Sequence, residues 1–379
     1  MKLILILLLT AGLSISVSSG KEPSPADRKA TKETVNLFRS LYKLQQKGIM
    51  YGHQDDLMYG STWWHEKDRS DTKDFTGDYP AVAGFELGHL ELGDERSLDS
   101  VSFDQIAEQI KAHYSRGGVI TISWHANNPL TMQDPGSKLR RMGGTAWDVS
   151  SKEAVASILP GGKNHEMFNA WLDRLATFFR ELKDDTGRPV PFIFRPFHEH
   201  SGSFFWWGTD ICTDKQYSDL WRYTVQYLRH KKQLHNILYA YNTDKVTSLE
   251  QYMRGYPGDD MIDMLSIDMY DRGEKFGGEL ENALAFVTRE AIGRNKLAAL
   301  SETGERWGMK DWWSSVLLPV VSKYPVSYVL TWRHTYRSRF RGSDSQANKP
   351  FPDDFMNFYN SPGTFFLKEI QGENLYKRR

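Results

Sequence analysis

Short apolar segments alternate eight times with longer amphipathic ones along this chain, and this alternation constrains the fold more than any other feature. Apolar runs that end in polar or aromatic residues are typical of parallel strands buried on both faces. Eight strands are predicted in this way, at residues 48–51, 81–85, 119–124, 191–195, 236–241, 264–267, 296–301 and 326–331. Between them, apolar residues recur at the spacing of helices with one buried face, at residues 103–116, 166–183, 217–231, 279–292 and 312–324. Eight βα repeats predict an α/β fold, a (β/α)8 TIM barrel that forms a single domain with elaborated βα loops.

The N-terminus has the pattern of a secretory signal peptide. Lys2 precedes an apolar run at residues 3–9, and small residues follow up to a predicted cleavage site near Ser19. We therefore expect residues 1–19 to be removed and residues 20–379 to form the barrel domain. The run is shorter than the about 20 apolar residues of a membrane span, so the mature form is expected to lack a membrane anchor.

Cysteine usage is consistent with an exported bacterial protein. Cys212 is the only cysteine, so neither an internal disulfide nor a cysteine-ligated zinc site is expected. A lipid-anchored cysteine behind the apolar run is also absent from the sequence. Together with the signal peptide, this indicates a location in the periplasm or outside the cell.

The charges of the chain balance, with 48 Lys and Arg residues against 48 Asp and Glu residues. Nucleic acids and anionic membranes attract basic proteins, so neither is expected as a partner. Aromatic residues make up 13% of the chain, and their flat faces suit sugar rings as well as protein cores. A monomer is the default expectation for the oligomeric state.

Chemically active side chains cluster at the predicted strand ends. In a (β/α)8 barrel the active site is built where the strands end and the βα loops begin. The residues there include His53, Glu86, His125, His198, Glu199, His200, Asn242, Asp268, Tyr270, Asp271, Glu302, Trp332, Arg333 and His334. The segment 127–163 is rich in Gly, Pro, Asn and Ser and is too long for a simple connection. We expect it to form an elaborated loop on the same face.

Glu199 and Glu302 are the predicted catalytic pair. They follow the fourth and seventh strands, which are roughly opposite in an eight-stranded barrel. In retaining glycoside hydrolysis one carboxyl group protonates the leaving oxygen and the other attacks the anomeric carbon. Glu199, beside His198 in an aromatic loop, is expected to have a raised pKa and to act as the acid. Glu302 is expected to stay ionised as the nucleophile, with Tyr270 or Arg195 as a donor to it.

The rim histidines allow a second interpretation, a metal-dependent hydrolase. His198 and His200 follow one strand and His125 follows another, which is a spacing typical of metal ligands in barrel hydrolases. Asp268 or Asp271 could complete such a site. A carboxylate between the two neighbouring histidines argues against it, so neither a metal nor another cofactor is expected.

Aromatic residues follow the fourth and the eighth predicted strands. Phe204, Trp206 and Trp332 come soon after strand ends, and each is interpreted either as a sugar-stacking platform or as core. For Trp312 and Trp313, which belong to a predicted helix, core packing is the favoured interpretation.

Several motifs together resemble glycoside hydrolase family 26, whose members are mostly β-mannanases. The similarity runs from about residue 36 to the last helix, nearly the whole chain after the signal peptide. The motifs are Phe-Arg-Pro-Phe-His-Glu at 194–199, Gly-Ser-Phe-Phe-Trp-Trp-Gly at 202–208, Ser-Glu-Thr-Gly at 301–304, Thr-Trp-Arg at 331–333, Gly-His-Gln at 52–54 and Trp-His at 124–125.

The resemblance implies roles for residues at the predicted mouth. Glu199 would be the acid/base and Glu302 the nucleophile, in agreement with the argument from the strand ends. His198 would position the carboxylates of the site, and Tyr270 would hydrogen-bond the nucleophile.

The resemblance also implies sugar-binding residues, with two departures. Trp332 would form the floor of the subsite for the reacting sugar, and His125 and Arg333 would contact the sugar one or two units before the cleaved bond. Relatives often carry Trp at the position of Phe204, and they often carry Asn at the position of His334. These two departures are expected to affect the leaving-group side and the subsite preferences.

The resemblance implies a retaining hydrolase of β-1,4-mannan, either a mannan endo-1,4-β-mannosidase or a variant that releases mannobiose. Its substrates would be β-mannan, galactomannan or manno-oligosaccharides. Other members of the family act on mixed-linkage β-glucan or β-1,3-xylan, so those substrates stay open. An inactive carbohydrate-binding barrel is the alternative of another class, and cleavage within chains or at chain ends is not decided by the sequence.

Overall fold

The computed structural model describes residues 22–131, 145–305, 309–334 and 352–377. Eight parallel strands close into a barrel, in which each strand pairs with its neighbours in chain order and the eighth pairs with the first. They are β1 (Ile49–Gln54), β2 (Val82–Glu86), β3 (Val119–Trp124), β4 (Phe192–Pro196), β5 (Ile237–Thr243), β6 (Met264–Asp268), β7 (Leu297–Thr303) and β8 (Tyr328–Thr331). All eight predicted strands are confirmed, and so is the (β/α)8 TIM barrel.

Helices surround the barrel and connect its strands. They are α1 (Lys32–Leu44), α2 (Asp71–Thr76), α3 (Phe103–Ser115), α4 (Ala154–Ile158), α5 (His165–Glu181), α6 (Asp214–Gln226), α7 (Leu249–Tyr252), α8 (Phe276–Gly293), α9 (Leu318–Val321), α10 (Pro352–Tyr359) and α11 (Leu367–Gln371). The five predicted helices correspond to α3, α5, α6, α8 and α9, with π-helical turns at Tyr227–Lys231 after α6 and at Trp313–Leu317 before α9. None of the helices in the described ranges has both the length and the apolar character of a membrane span.

The start of α6 shows how local sequence positions the rim of the barrel. Thr213 Oγ accepts from the Gln216 amide at 3.2 Å, and the Gln216 side chain accepts from the Thr213 amide at 2.9 Å. This capping box satisfies two amides that a helix start would otherwise leave unpaired. The helix then presents Tyr217, whose ring stacks on His200 at 4.1 Å beside the end of β4.

Apolar side chains fill the barrel and also the layer between the barrel and its helices. Buried residues inside the barrel include Met50, Ile193, Leu238, Met264, Leu297 and Leu330. Leu37, Phe38 and Leu41 of α1 belong to the same cluster, so α1 closes the N-terminal end. The outer layer is rich in aromatic residues and contains both Trp312 and Trp313, 2% and 6% exposed. The core interpretation of these two tryptophans is therefore confirmed.

A ninth strand, β9 (Thr364–Phe365), was not predicted from the sequence. It pairs in parallel with β1, with Ile49 opposite Thr364. A Cβ atom on Gly48 would lie 2.1 Å from the Gly363 carbonyl oxygen, so the close approach of the two chains requires glycine at this position. Two residues are too few to show an alternating pattern.

The predicted loop 127–163 is described in part, since residues 132–144 lie outside the described ranges. The Thr145 amide donates to Asn127 Oδ1 at 2.8 Å, and the Asn128 amide donates to Thr145 Oγ at 2.7 Å. The start of the loop and its later part are thereby tied together beside the end of β3. The predicted signal peptide also lies outside the described residues, and the domain boundary at residue 20 stays a prediction.

Candidate active site

The end of β4 holds Glu199 in an uncommon backbone conformation. Phe197 and Glu199 have φ angles of 49° and 52°, in a left-handed region that costs about 1–3 kcal/mol for a residue with a side chain. The Glu199 amide donates to Asn242 Oδ1 at 2.7 Å, and Tyr217 Oη donates to the Phe197 carbonyl at 3.0 Å. These bonds stabilise a tight turn that directs the Glu199 carboxyl group into the barrel mouth.

The end of β7 contains a one-residue bulge at Ser301. Ile267 of β6 pairs with Leu300, but the next residue, Asp268, pairs with Glu302. Consecutive strand residues ordinarily point to opposite faces, and a bulge removes this restriction. Ser301 Oγ donates to Asp268 Oδ1 at 2.7 Å, and Glu302 faces the same interior. The bulge thus brings a hydroxyl group and a carboxylate into the mouth from neighbouring positions.

Two donors hold the Glu302 carboxylate. Tyr270 Oη donates to Oε2 at 2.7 Å, and Arg195 Nη2 donates to Oε1 at 2.7 Å. Glu302 is buried at 3% exposure and Arg195 at 0%. A carboxylate with a buried guanidinium and a phenol as donors is stabilised in its charged form, which is the form a nucleophile requires.

Glu199 and Glu302 face each other, with Asp268 beside them. One carboxylate oxygen from each of the three residues lies within 4.8 Å of the others. Retaining glycoside hydrolases have carboxyl groups about 5–5.5 Å apart, whereas inverting enzymes need about 6.5–9.5 Å to admit a water molecule. The separation therefore favours direct attack by one carboxylate on the sugar.

Electrostatics favour the protonated form of Glu199. Burial of this carboxyl group, followed by the negative charges of Glu302 and Asp268, raises its pKa well above the usual value. The predicted rise in the pKa of Glu199 thus comes from burial and neighbouring carboxylates rather than from His198. A protonated carboxyl group beside an ionised one is the arrangement that general acid catalysis requires.

His198 and His125 stand edge to face in the mouth, with ring centroids 4.5 Å apart. Burial, with the positive charges of His125 and Arg195, lowers the pKa of His198 well below the usual value, so His198 is neutral. His125 Nδ1 lies 2.8 Å from Glu86 Oε2. Burial opposes the charge of His125, but the Glu86 carboxylate outweighs it and raises the pKa of His125.

The structure does not assemble the histidines into a metal site. The ring nitrogens of His200 lie 3.0 Å from the Asn242 carbonyl and 2.8 Å from the Arg254 carbonyl. The cluster of Glu199, Asp268 and Glu302 has the geometry of cation ligands. Two of the three carboxylates already share a cation, because the Arg195 guanidinium donates to Asp268 at 3.2 Å and to Glu302 at 2.7 Å.

Of the predicted aromatic platforms after β4, one is accessible and one is not. Trp206 is 0% exposed, and its indole Nε1 donates to the Ala126 carbonyl at 2.8 Å. The prediction that Trp206 stacks on a sugar is therefore wrong, because its ring packs against Phe197 and Trp207 inside the loop. Phe204 is 38% exposed at the rim, so its ring can meet a ligand.

Trp332 and Arg333 lie at the end of β8 on the same rim. The Trp332 amide donates to the Thr303 carbonyl at 3.1 Å, and its ring centroid lies 6.0 Å from that of His125. Arg333 Nη2 lies 3.3 Å from Asp99 Oδ1. These residues join the strand-eight end to the mouth, as the sequence analysis predicted, while their contacts with sugars stay a prediction.

Sequence reasoning missed Trp147 and the part that Glu86 and Asp268 play. Trp147 is 46% exposed and stacks on His125 at 5.2 Å, with interplanar angle 23°. Trp147 lies near the middle of the loop segment 127–163 in the sequence, where no strand end indicates a site. Glu86 and Asp268 do end strands, but their contacts with His125 and Arg195 depend on which side chains meet at the barrel mouth, and the sequence does not show this.

Comparison with known proteins agrees with this geometry. The model of glycosyl hydrolase family 26 matches residues 26–356. The chain is similar to a mannan endo-1,4-beta-mannosidase of Bifidobacterium adolescentis, with 31% identity over 91% of this chain. This chain spans only 36% of the length of that relative.

Two solved structures have the same architecture. A GH26 beta-mannanase from Bacteroides ovatus is 41% identical, covers 92% of this chain and 98% of its own, and superposes with a TM-score of 0.85. An endo-beta-1,4-mannanase double mutant from Cellulomonas fimi is 29% identical, covers 94% of this chain and 80% of its own, and has a TM-score of 0.81. With a family match over most of its length and a paired-carboxylate mouth, the chain belongs to glycosyl hydrolase family 26.

Proposed function

We propose that this protein hydrolyses β-1,4-mannan or manno-oligosaccharides with retention of anomeric configuration. The observation that carries the proposal is the facing pair of carboxyl groups, Glu199 and Glu302, with oxygens within 4.8 Å of each other and with Arg195 and Tyr270 as donors to Glu302. The substrate class is supported by the relatives, which are named as mannanases. The exposed rings of Phe204 and Trp147 at the rim offer faces for sugar rings.

In the first step, Glu302 attacks the anomeric carbon while Glu199 donates its proton to the glycosidic oxygen. The bond between the anomeric carbon and that oxygen breaks, and a covalent mannosyl-enzyme forms. Arg195 and Tyr270 orient the Glu302 carboxylate before the attack, since each donates to a different oxygen. A carboxylate that is already oriented lowers the entropic part of the activation barrier for the attack.

In the second step, Glu199 is ionised and removes a proton from water, which attacks the same carbon and releases Glu302. At this stage Glu302 is an uncharged ester, but burial and the negative charge of Asp268 still raise the pKa of Glu199, so Glu199 can accept the proton. Two inversions at one carbon restore the original configuration. His198 is buried, its ring nitrogens have no hydrogen-bond partner among the described residues, and its Nε2 lies 3.9 Å from Glu302 Oε1, where it packs beside the nucleophile.

The first experiment is product analysis on galactomannan, undecorated manno-oligosaccharides and mixed-linkage β-glucan. Wild-type enzyme is compared with Glu199→Ala and Glu302→Ala, and Glu108→Ala serves as a matched control because Glu108 is exposed on α3. Manno-oligosaccharide products that vanish in both site variants, persist in the control and survive EDTA are expected. Cleavage of glucan alone would change the substrate, and activity that survives both site substitutions would refute the carboxylate pair.

Stereochemistry and product size complete the test. Proton NMR of the first product is expected to show the β anomer before mutarotation. On an aryl β-mannoside whose leaving group needs no protonation, azide is expected to restore activity to Glu199→Ala by forming a β-mannosyl azide, because the anion attacks the covalent mannosyl-enzyme without a general base. The size distribution of early products separates internal cleavage from release of mannobiose at chain ends.

We also propose that the protein is exported with loss of residues 1–19. The support is the charged residue and apolar run at the N-terminus. N-terminal sequencing of the protein from periplasmic and culture fractions tests this proposal, and an intact Met1 in the cytoplasmic fraction would overturn it.

A further inference from the structure

A histidine–carboxylate cluster lies behind the mouth, outside the barrel wall between β1 and β8. It consists of His53, Asp56, Asp71 and His334, and it is separate from the catalytic carboxylates. All four residues are buried, with exposures of 2%, 1%, 5% and 7%. A cavity of about 10 Å³ adjoins His53, Asp71 and His334, which is room for about one water molecule.

Asp71, the first residue of α2, ties three pieces of chain together. Its Oδ1 accepts from the Trp63 indole at 2.7 Å, and its Oδ2 accepts from the Ser61 amide at 2.7 Å. Oδ2 also accepts from His334 Nδ1 at 2.6 Å. Burial opposes the charge of Asp71, but the His334 bond and the other donors lower its pKa well below the usual value. The carboxylate is therefore ionised and has donors on both oxygens.

Neighbouring groups restrict the positions of the Asp71 carboxylate and the His334 ring. A Cβ atom on Gly60 would lie 2.2 Å from Asp71 Oδ1, so the loop after β1 passes against the carboxylate. The His53 ring packs edge-on against His334 with centroids 4.5 Å apart, and His53 Nδ1 lies 3.0 Å from Asp56 Oδ1. The orientation of the His334 ring is thus fixed from two sides.

The chain between β8 and His334 contains only Trp332 and Arg333. At one end, Thr331 is held in register with His53, and the Trp332 amide donates to the Thr303 carbonyl at 3.1 Å. At the other end, His334 is held by Asp71. A two-residue segment that is fixed at both ends has few alternative backbone conformations, so both side chains are presented to the mouth in one arrangement.

We propose that Asp71 and His334 form a positioning pair that fixes Trp332 and Arg333 for binding of the sugar chain. The pair does not touch substrate, and it acts through the two residues that precede His334. This inference rests on the proposed hydrolysis of mannan, in which the family resemblance implies that Trp332 and Arg333 contact the sugars before the cleaved bond. Because Asp71 also holds Ser61 and Trp63, the pair couples the loop after β1 to the end of β8.

The test compares His334→Ala with His334→Asn on manno-oligosaccharides of four to six units. Asparagine carries an amide nitrogen on Cγ, where histidine carries Nδ1, so it can still donate to Asp71, whereas alanine cannot. We expect His334→Ala to raise KM about tenfold with kcat changed about twofold or less, the pattern of lost uniform binding. We expect His334→Asn to recover a KM within about twofold of wild type.

A matched control is available at the other end of the barrel. His235 Nδ1 lies 2.7 Å from Asp27 Oδ2, so His235→Ala removes the same kind of pair far from the mouth. It is expected to lower the melting temperature without changing KM. Asp71→Asn is also expected to raise KM, and the double variant Asp71→Asn/His334→Ala is expected to be no worse than Asp71→Asn alone, because both changes break one interaction.

The outcomes separate this inference from the proposed function. Wild-type enzyme without activity on mannans would refute the proposed function itself. Active wild type together with a folded His334→Ala variant of unchanged KM would overturn the positioning pair. Equal KM values for the Ala and Asn variants would overturn it as well. If neither His334→Ala nor Asp71→Asn folds, the pair is a stability element only, and the inference is wrong.

Discussion

Replacement of Asp268 by asparagine is expected to move the alkaline limb of the pH profile of kcat/KM to lower pH. That limb reports loss of the proton from the general acid, Glu199. The Asp268 carboxyl group is one of the causes of the raised pKa of Glu199, after burial and Glu302. With this negative neighbour removed, Glu199 loses its proton at lower pH, so activity falls at lower pH.

The size of the shift follows from the geometry. Oxygens of Asp268 and Glu199 lie within 4.8 Å of each other, and two unit charges at that distance interact by about 3.5 kcal/mol at an effective dielectric constant of about 20. A full charge would therefore shift the limb by about 2.5 pH units. Burial, followed by the charge of Glu302, also raises the pKa of Asp268, so it carries part of a charge near neutral pH. A downward shift of about 1–2 units is expected.

The assay measures kcat/KM on a manno-oligosaccharide from about pH 4 to about pH 10. Steps of about half a pH unit are enough to resolve one titration. Asp263→Asn is the matched control, since Asp263 is also a buried carboxyl group with a raised pKa and accepts from the Tyr239 amide at 2.8 Å near the opposite end of β5. The control is expected to leave the limb unchanged. An alkaline limb that stays in place or moves upward in Asp268→Asn would refute the electrostatic explanation of the Glu199 pKa.

Three further predictions concern single contacts. Tyr270→Phe removes the 2.7 Å bond to Glu302 and is expected to lower kcat about tenfold or more, whereas Tyr227→Phe, which loses a 2.6 Å bond to a carboxylate outside the barrel, should keep kcat. Trp147→Ala is expected to raise KM for long manno-oligosaccharides several-fold while the melting temperature stays close to wild type, because the ring is 46% exposed; an unchanged KM would contradict a sugar platform there. Trp171→Ala empties a core position that is 1% exposed and is expected to lower the free energy of unfolding by about 3–5 kcal/mol, measured by denaturant titration; a loss below about 1 kcal/mol would contradict the core assignment.

The barrel itself was accessible from the sequence, because each strand and its following helix carry their own periodic signal. The strands read as apolar runs, and the helices repeat apolar residues every turn. Both signals depend only on nearby residues in the sequence, so they can be recognised without knowing which residues are neighbours in space. β9 shows the limit, since its two residues carry no period and depend on Gly48 and Gly363 for their approach to β1.

Site residues were predictable where the barrel topology alone brings them together. Glu199 and Glu302 lie at strand ends, and closure of the barrel places them in one mouth whatever the details of packing. The prediction for Trp206 was wrong, because the position of a residue after a strand does not reveal whether its ring faces solvent or the interior of the loop. Trp147 was missed for the complementary reason, since a loop folds it onto His125 from a position far from any strand.

The fold class, the strand order and the identity of the facing carboxyl groups could be predicted from the amino-acid sequence. These depend on periodicity and on topology, which are properties of the chain. The electrostatics and contacts of the site required the folded structure: the raised pKa of Glu199, the lowered pKa of His198 and the Arg195 guanidinium between two carboxylates. The physical reason is that burial and Coulomb interactions depend on distances between residues from different strands, and those distances exist only after the barrel closes.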